Sequence, residues 1–178
     1  MNKKILWITR TAILIALLIV MQGVTAPLGN PLITGSIVNL ILIVSVMTCG
    51  INTGIPVAFI SPICARLLGI GPQLWTLIPF IMVGNIVLVL IWHLIGNRKI
   101  DIRKGGYIVA LIVAALAKFL ALYVGIVKIA IPMFLKLPEA KASAISNMFS
   151  FPQLITALIG GILAIMILPV IKPLVKNT

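Results

Sequence analysis

Residues 107–131 read YIVALIVAALAKFLALYVGIVKIAI, a run whose only charges are Lys118 and Lys128. As an α-helix it would rise about 37 Å at 1.5 Å per residue, enough to cross a hydrocarbon layer about 30 Å thick. No soluble domain needs so long an apolar segment, so this stretch places the chain in lipid. The composition agrees. Of 178 residues, 62% are hydrophobic and 9% charged, and the mean hydropathy is +1.29. Soluble domains carry about a quarter charged residues. These values exclude a soluble enzyme, a disordered tail and a disulfide-framed secreted domain.

Five further apolar runs flank the first. Together they predict an all-α integral membrane protein, a single domain over 1–178 with six transmembrane helices at about 5–25, 36–49, 55–68, 74–95, 107–131 and 149–171. The first run reads as a retained helix rather than a cleaved signal, because Pro27 follows the small-residue segment and Arg10 interrupts the early apolar stretch. The connection 26–35 is rich in Pro and Gly and reads as irregular, as do 50–54 and 69–73. Residues 96–105 form the plainly hydrophilic loop, and 137–146 form a second polar stretch.

Fourteen Lys and Arg against two acids give a net charge of +12. In a soluble chain that would suggest nucleic acid, but here the cations are few and lie mostly between spans, so no nucleic-acid partner is expected. With a cytoplasmic N-terminus, the inner side holds Lys3, Lys4, Arg10, Arg98, Lys99, Arg103, Lys104, Lys172 and Lys176, against Lys136 and Lys141 outside. The positive-inside rule therefore places both termini in the cytoplasm and the loops 26–35, 69–76 and 132–148 outside. Irregular backbone at membrane depth needs protein or a cavity to satisfy it, which points to a ligand site in the outer half.

Charges inside spans cost about 2.5–3.5 kcal/mol even on the mildest scale and mark candidate function. Lys118 is the clearest, while Arg66 and Lys128 lie near outer span ends, where snorkelling competes with ligand binding. No acid lies in any span, so these cations require carbonyls, water or an anionic ligand. Thr34, Ser36, Asn39, Gln73, Trp75, Asn85, Tyr123, Asn147 and Gln153 fall at similar depth and can bind a small polar molecule; interhelical bonding or interfacial anchoring is the competing role. Small residues four apart mark close helix packing: Ser61, Ala65 and Gly69; Ala117, Ala121 and Gly125; Gly160 and Ala164. Ala12 and Ala16 differ, because bulky Leu14, Ile15, Leu17 and Leu18 surround them and leave a groove for a partner helix. Cys49, Cys64 and His93 read as packing or interfacial residues.

There is no phosphate-binding loop, no metal-ligand pair, no carboxylate dyad and no intramembrane acid for proton coupling. The sequence thus describes a non-enzymatic binding or transport protein with no metal site and no energy source of its own. An autonomous channel or facilitator fits the six spans as well, and a membrane enzyme or structural subunit fits only the hydropathy.

The whole chain resembles the substrate-binding S component of an energy-coupling factor (ECF) transporter. The most specific local feature is Ala12-x-x-x-Ala16 within Thr11-Ala-Ile-Leu-Ile-Ala-Leu-Leu18, and Thr34-Gly-Ser-Ile-Val-Asn39 and Pro79-Phe-Ile-Met-Val-Gly-Asn85 are similar to the pantothenate-like branch. The resemblance implies a bacterial cell-membrane protein that captures a micronutrient from outside. Its Ala12/Ala16 face would dock on a transmembrane T component, and two partner ATPases would hydrolyse ATP, with no cofactor in this chain. It also implies that 26–35 closes over the site as a lid, with Gly29 and Gly35 as hinges, and that the protein topples to release ligand inward. The cations favour an anionic substrate such as pantothenate; the Asn and Gln edges with aromatic side chains suit a queuosine-type deazapurine, and cobalamin or another vitamin stays open.

Overall fold

The computed structural model describes residues 3–96 and 105–176, and within them the ordered backbone is helical, with no strand. Seven α-helices follow in order: α1 Lys3–Thr25, α2 Pro31–Cys49, α3 Ile51–Leu67, α4 Ile78–Ile91, α5 Gly106–Leu122, α6 Glu139–Met148 and α7 Phe151–Lys176. A 3₁₀ turn, Trp75–Leu77, leads into α4; π-helical segments prolong α4 over Trp92–Gly96 and α5 over Tyr123–Leu135. Five of the helical stretches are long and apolar enough to cross a membrane, and α3 is a shorter apolar helix among them. The hydrophilic loop with Arg98, Lys99, Arg103 and Lys104 lies outside the described residues.

Several elements differ from the sequence expectation, each for a local reason. The connection 26–35 is mostly ordered: Ala26–Leu28 is a 3₁₀ turn, Gly29 takes φ 65°, and α2 begins at Pro31. Asn30 starts α2 as its cap, its Oδ1 accepting from Leu32 N at 3.0 Å, with Pro31 in the first helical position, where its missing N–H costs nothing. Gly35 is accordingly a residue of α2 and not a loop hinge. The 50–54 turn shrinks to Gly50, at φ 83°, and α3 runs from Ile51. The polar stretch 137–146 is mostly α6, which Pro138 begins and which packs Ile145 against the bundle. The α5 segment continues through Pro132 to Leu135 before Lys136 turns it at φ 38°.

Contacts sort the ends of the bundle. At one end Arg10 Nη2 donates to the Val175 carbonyl at 3.0 Å, and Trp7 Nε1 donates to the Asn52 carbonyl at 3.2 Å. Both chain ends and the α2–α3 turn therefore share that end. The α1–α2 connection, the 68–74 turn and α6 lie at the other. The larger core cluster includes Leu42, Val46, Trp92 and Leu168, all fully buried, while a smaller one gathers Leu77, Leu122, Ile126, Ile145 and Phe149 under α6.

Glycines set the helix spacing. A Cβ on Gly160 of α7 would lie 2.5 Å from the Ser36 carbonyl oxygen and 2.7 Å from Asn39 Cβ on α2. The expected Ala117/Ala121/Gly125 stripe is not the buried face of α5. Ala110, Ala114, Lys118 and Leu122 are buried, while Ala117 and Ala121 are only half-buried. Gly160→Ala is expected to destabilise the fold by about 1–3 kcal/mol through overpacking. Gly23→Ala, with nothing within 4 Å of the added carbon, serves as the unhindered control and should gain up to about 1 kcal/mol from helix propensity. Thermal unfolding of both variants in detergent checks this; equal midpoints would show that α7 can retreat from α2.

Candidate functional site

Lys118 sits about 18 Å along α5 from its start at Gly106, deep in the apolar layer. The helix delivers it to the interior because Ala110 and Ala114, four residues apart, occupy the same face and let α5 approach its neighbours. The side chain is 4% exposed, and its Nζ donates to Asn39 Oδ1 of α2 at 2.5 Å and to Asn85 Oδ1 of α4 at 2.7 Å. Both asparagines are buried, and Asn85 Nδ2 in turn donates to the Ala58 carbonyl of α3 at 3.5 Å. A buried ammonium thus meets two amide dipoles instead of a carboxylate. An ammonium has three N–H groups, and two are engaged here.

This cluster borders a cavity of about 490 Å³ reaching toward the α6 end, within the size range of small-molecule sites. Of the residues expected from sequence, Thr34, Asn39, Arg66, Asn85, Lys118 and Asn147 line it. Gln153 lines it too, its Nε2 donating to the Met148 carbonyl at 3.1 Å. Leu74, Ile78, Ile81 and Phe149 form apolar wall. Arg66, in the last turn of α3, reaches the cavity while Nη1 donates to Gln73 Oε1 and the guanidinium lies 5.1 Å from the centre of the Trp75 ring.

Five expected residues are not brought to the cavity, the first being buried Ser36, whose Oγ donates to the Leu32 carbonyl at 2.7 Å. Gln73 and Trp75 stand behind Arg66 as its partners, and Trp75 is exposed. Tyr123 stacks on Phe119 with ring centroids 5.8 Å apart, and exposed Lys128 lies 5.6 Å from the Tyr123 ring. Tyr123 falls five residues beyond Lys118, about 140° round an α-helix, which turns it off the site face. Sequence reading missed Gln22 of α1 and Ser61 of α3 as cavity residues. The signal for Gln22 was its register with Thr11, Leu18 and Thr25, the buried stripe of α1.

Ala12 and Ala16 are exposed on the outer face of α1, next to exposed Ile13, Leu17 and Val20. The fold and the cavity together define a multi-pass membrane protein that binds a small molecule. Over residues 7–172 the chain matches the family model described as ECF transporter, substrate-specific component, and it belongs to that family. The family comprises transporter substrate-binding components and not enzymes. No curated protein and no solved structure matches the chain.

The amide pair and the lysine are expected to act as one unit. Asn85→Leu and Lys118→Met should each cost stability, because each leaves the other's buried polar group short of a partner. The double variant should recover in part, since buried Asn39 still lacks Lys118, with a coupling of about 1–3 kcal/mol. Unfolding midpoints of the four proteins measure it, and strictly additive losses would show that the contact contributes nothing.

Proposed function

We propose that this chain is the high-affinity substrate-binding subunit of an ATP-driven ECF importer in the bacterial cell membrane, taking up a vitamin or related micronutrient. Both termini face the cytoplasm, and the cavity opens toward the outside. Energy comes from two partner ATPases through a transmembrane T component, which docks on the Ala12/Ala16 face of α1. The exposure of both alanines beside bulky side chains supports that surface, since small residues let a partner helix approach closely.

The observation that carries the substrate reading is the Lys118 ammonium at the cavity wall with no acid beside it among the described residues. Glu139 is outside the lining, and Asp101 lies outside the described residues. A ligand that brings negative charge there completes the electrostatics, so the leading substrate is an anionic micronutrient such as pantothenate. A queuosine-type deazapurine or another vitamin is the alternative; Asn39, Asn85 and Asn147 would offer it amide edges, but Trp75 and Tyr123 stand away from the cavity and give it no stacking surface. The autonomous facilitator fits less well, because Leu42, Val46, Trp92 and Leu168 pack the half of the bundle nearer the termini.

Mass spectrometry of small molecules released from gently purified protein, set against a mock membrane preparation, is expected to show an enriched anionic compound. An enriched cation would sink the charge argument. In a second test, Ala12→Trp with Ala16→Trp should abolish co-purification of the T component and ATPases while ligand binding stays within about twofold. Lost ligand binding with intact assembly would assign that face of α1 to the site.

A further inference from the structure

Two polar atoms at the cavity are shut off from solvent and have no hydrogen-bond partner: Gln22 Oε1 and Arg66 Nε. Gln22 is 3% exposed, lines the cavity, and lies on the stripe of α1 that faces the bundle. A buried amide oxygen without a donor carries a desolvation penalty, and native proteins pair such groups in the great majority of cases. Neighbouring Thr25 does not pair with it, since its Oγ1 is turned to the Met21 carbonyl at 2.7 Å. The amide torsion of glutamine is soft and broadly populated, so Oε1 can turn to the cavity that the side chain already lines.

The demands on a ligand are therefore of opposite kinds. Arg66 Nε and the third N–H of Lys118 each want an acceptor, whereas Gln22 Oε1 wants a donor. The rest of the wall is aliphatic and neutral polar side chains with one aromatic ring, Phe149, so no pair of rings holds a flat heterocycle. Resting on the reading of this cavity as the substrate site, we infer that Gln22 is a specificity-determining contact that selects an aliphatic anion bearing a hydroxyl donor. The anionic group lies at Lys118, and the donor meets Gln22. A ligand lacking the donor leaves Gln22 Oε1 buried and unpaired in the complex, which is how a site rejects a deoxy analogue more strongly than it rejects a missing methylene.

Isothermal titration calorimetry on the full-length protein in lipid nanodiscs tests this with three probes: pantothenate, its dideoxy acyl-β-alanine analogue, and nicotinate as a flat aromatic monoanion. The wild type should bind pantothenate at least about tenfold more tightly than the dideoxy analogue, and nicotinate most weakly. In Gln22→Leu the gap between the first two should close to within about threefold. In Gln22→Glu, which keeps an acceptor oxygen, the gap should persist although both affinities fall. Thermal unfolding of each variant confirms that it is folded. A dideoxy analogue bound as tightly as pantothenate by the wild type, or a gap unchanged in Gln22→Leu, overturns the inference. Tightest binding of nicotinate overturns it while leaving the cavity as a ligand site. No heat from any probe overturns the inference, and a different small molecule released from the purified protein then leaves the binding-subunit reading standing.

Discussion

A lysine ammonium cannot sit in hydrocarbon without a polar partner, and the structure meets that requirement with two asparagines on two other helices. Lys118 of α5 joins Asn39 of α2 and Asn85 of α4, and Asn85 reaches on to the α3 backbone. The spacing of the surrounding helices serves this arrangement. Gly84, next to Asn85, leaves room for Leu122 of α5, whose Cδ2 would be 2.7 Å from an added Cβ, and Gly160 of α7 makes the corresponding space against Asn39. A methyl group at either glycine would push a helix outward at the level where the amides must converge. In lipid the apolar surfaces gain little by associating, so small residues and buried polar bonds decide which faces meet.

The same polar junction divides the bundle. Toward the chain ends, aliphatic and indole side chains fill the interior, with Trp92 fully buried and Gly96 fitted against Met47 and the Trp92 ring. Toward α6 the helices stand apart around the cavity, whose rim is formed by the start of α2, the 68–74 turn and the α6–α7 junction. Gly69 and Gly71 take φ near +73°, which lets that turn fold back tightly enough for Gln73 to meet Arg66. The hollow is thus closed at its floor by charge and amide pairing and bordered at its mouth by short turns.

The spans were legible because lipid imposes a length and a composition that few other structures share. The starts of α2 and α3 were not, because Pro and Gly were read as breakers where Asn30-Pro31 is a helix-initiating pair and Gly50 a one-residue turn. Lys118, Asn39 and Asn85 stood out as polar residues with no reason to be in lipid unless they meet. Trp75, Tyr123 and Lys128 were placed at the site on depth alone, and depth does not give the side of the helix. Gln22 was not singled out, although its register with Leu18 and Thr25 marks the inward face. Periodicity separates those cases, since residues on one face recur at three and four positions.

Membership of a family of transporter substrate-binding components sets a physical problem that this chain does not solve alone. A cavity bordered on one side by a satisfied Lys118 cluster and packed solidly beyond it offers no path to the other membrane face. A ligand held there by buried polar contacts sits in a well that deepens with every bond made, so the uptake proposed above would need work from outside the chain. Among the described residues no acid lies within the bundle to draw on a proton gradient, and the sequence carries no nucleotide-binding loop. In the proposed function that work enters through α1. This helix turns Thr11, Leu18 and Gln22 inward and presents an apolar outer face that runs from Ile5 to Val24. Such a face is satisfied by lipid or by another helix, and the exposed notch at Ala12 and Ala16 is where the proposed T component would dock.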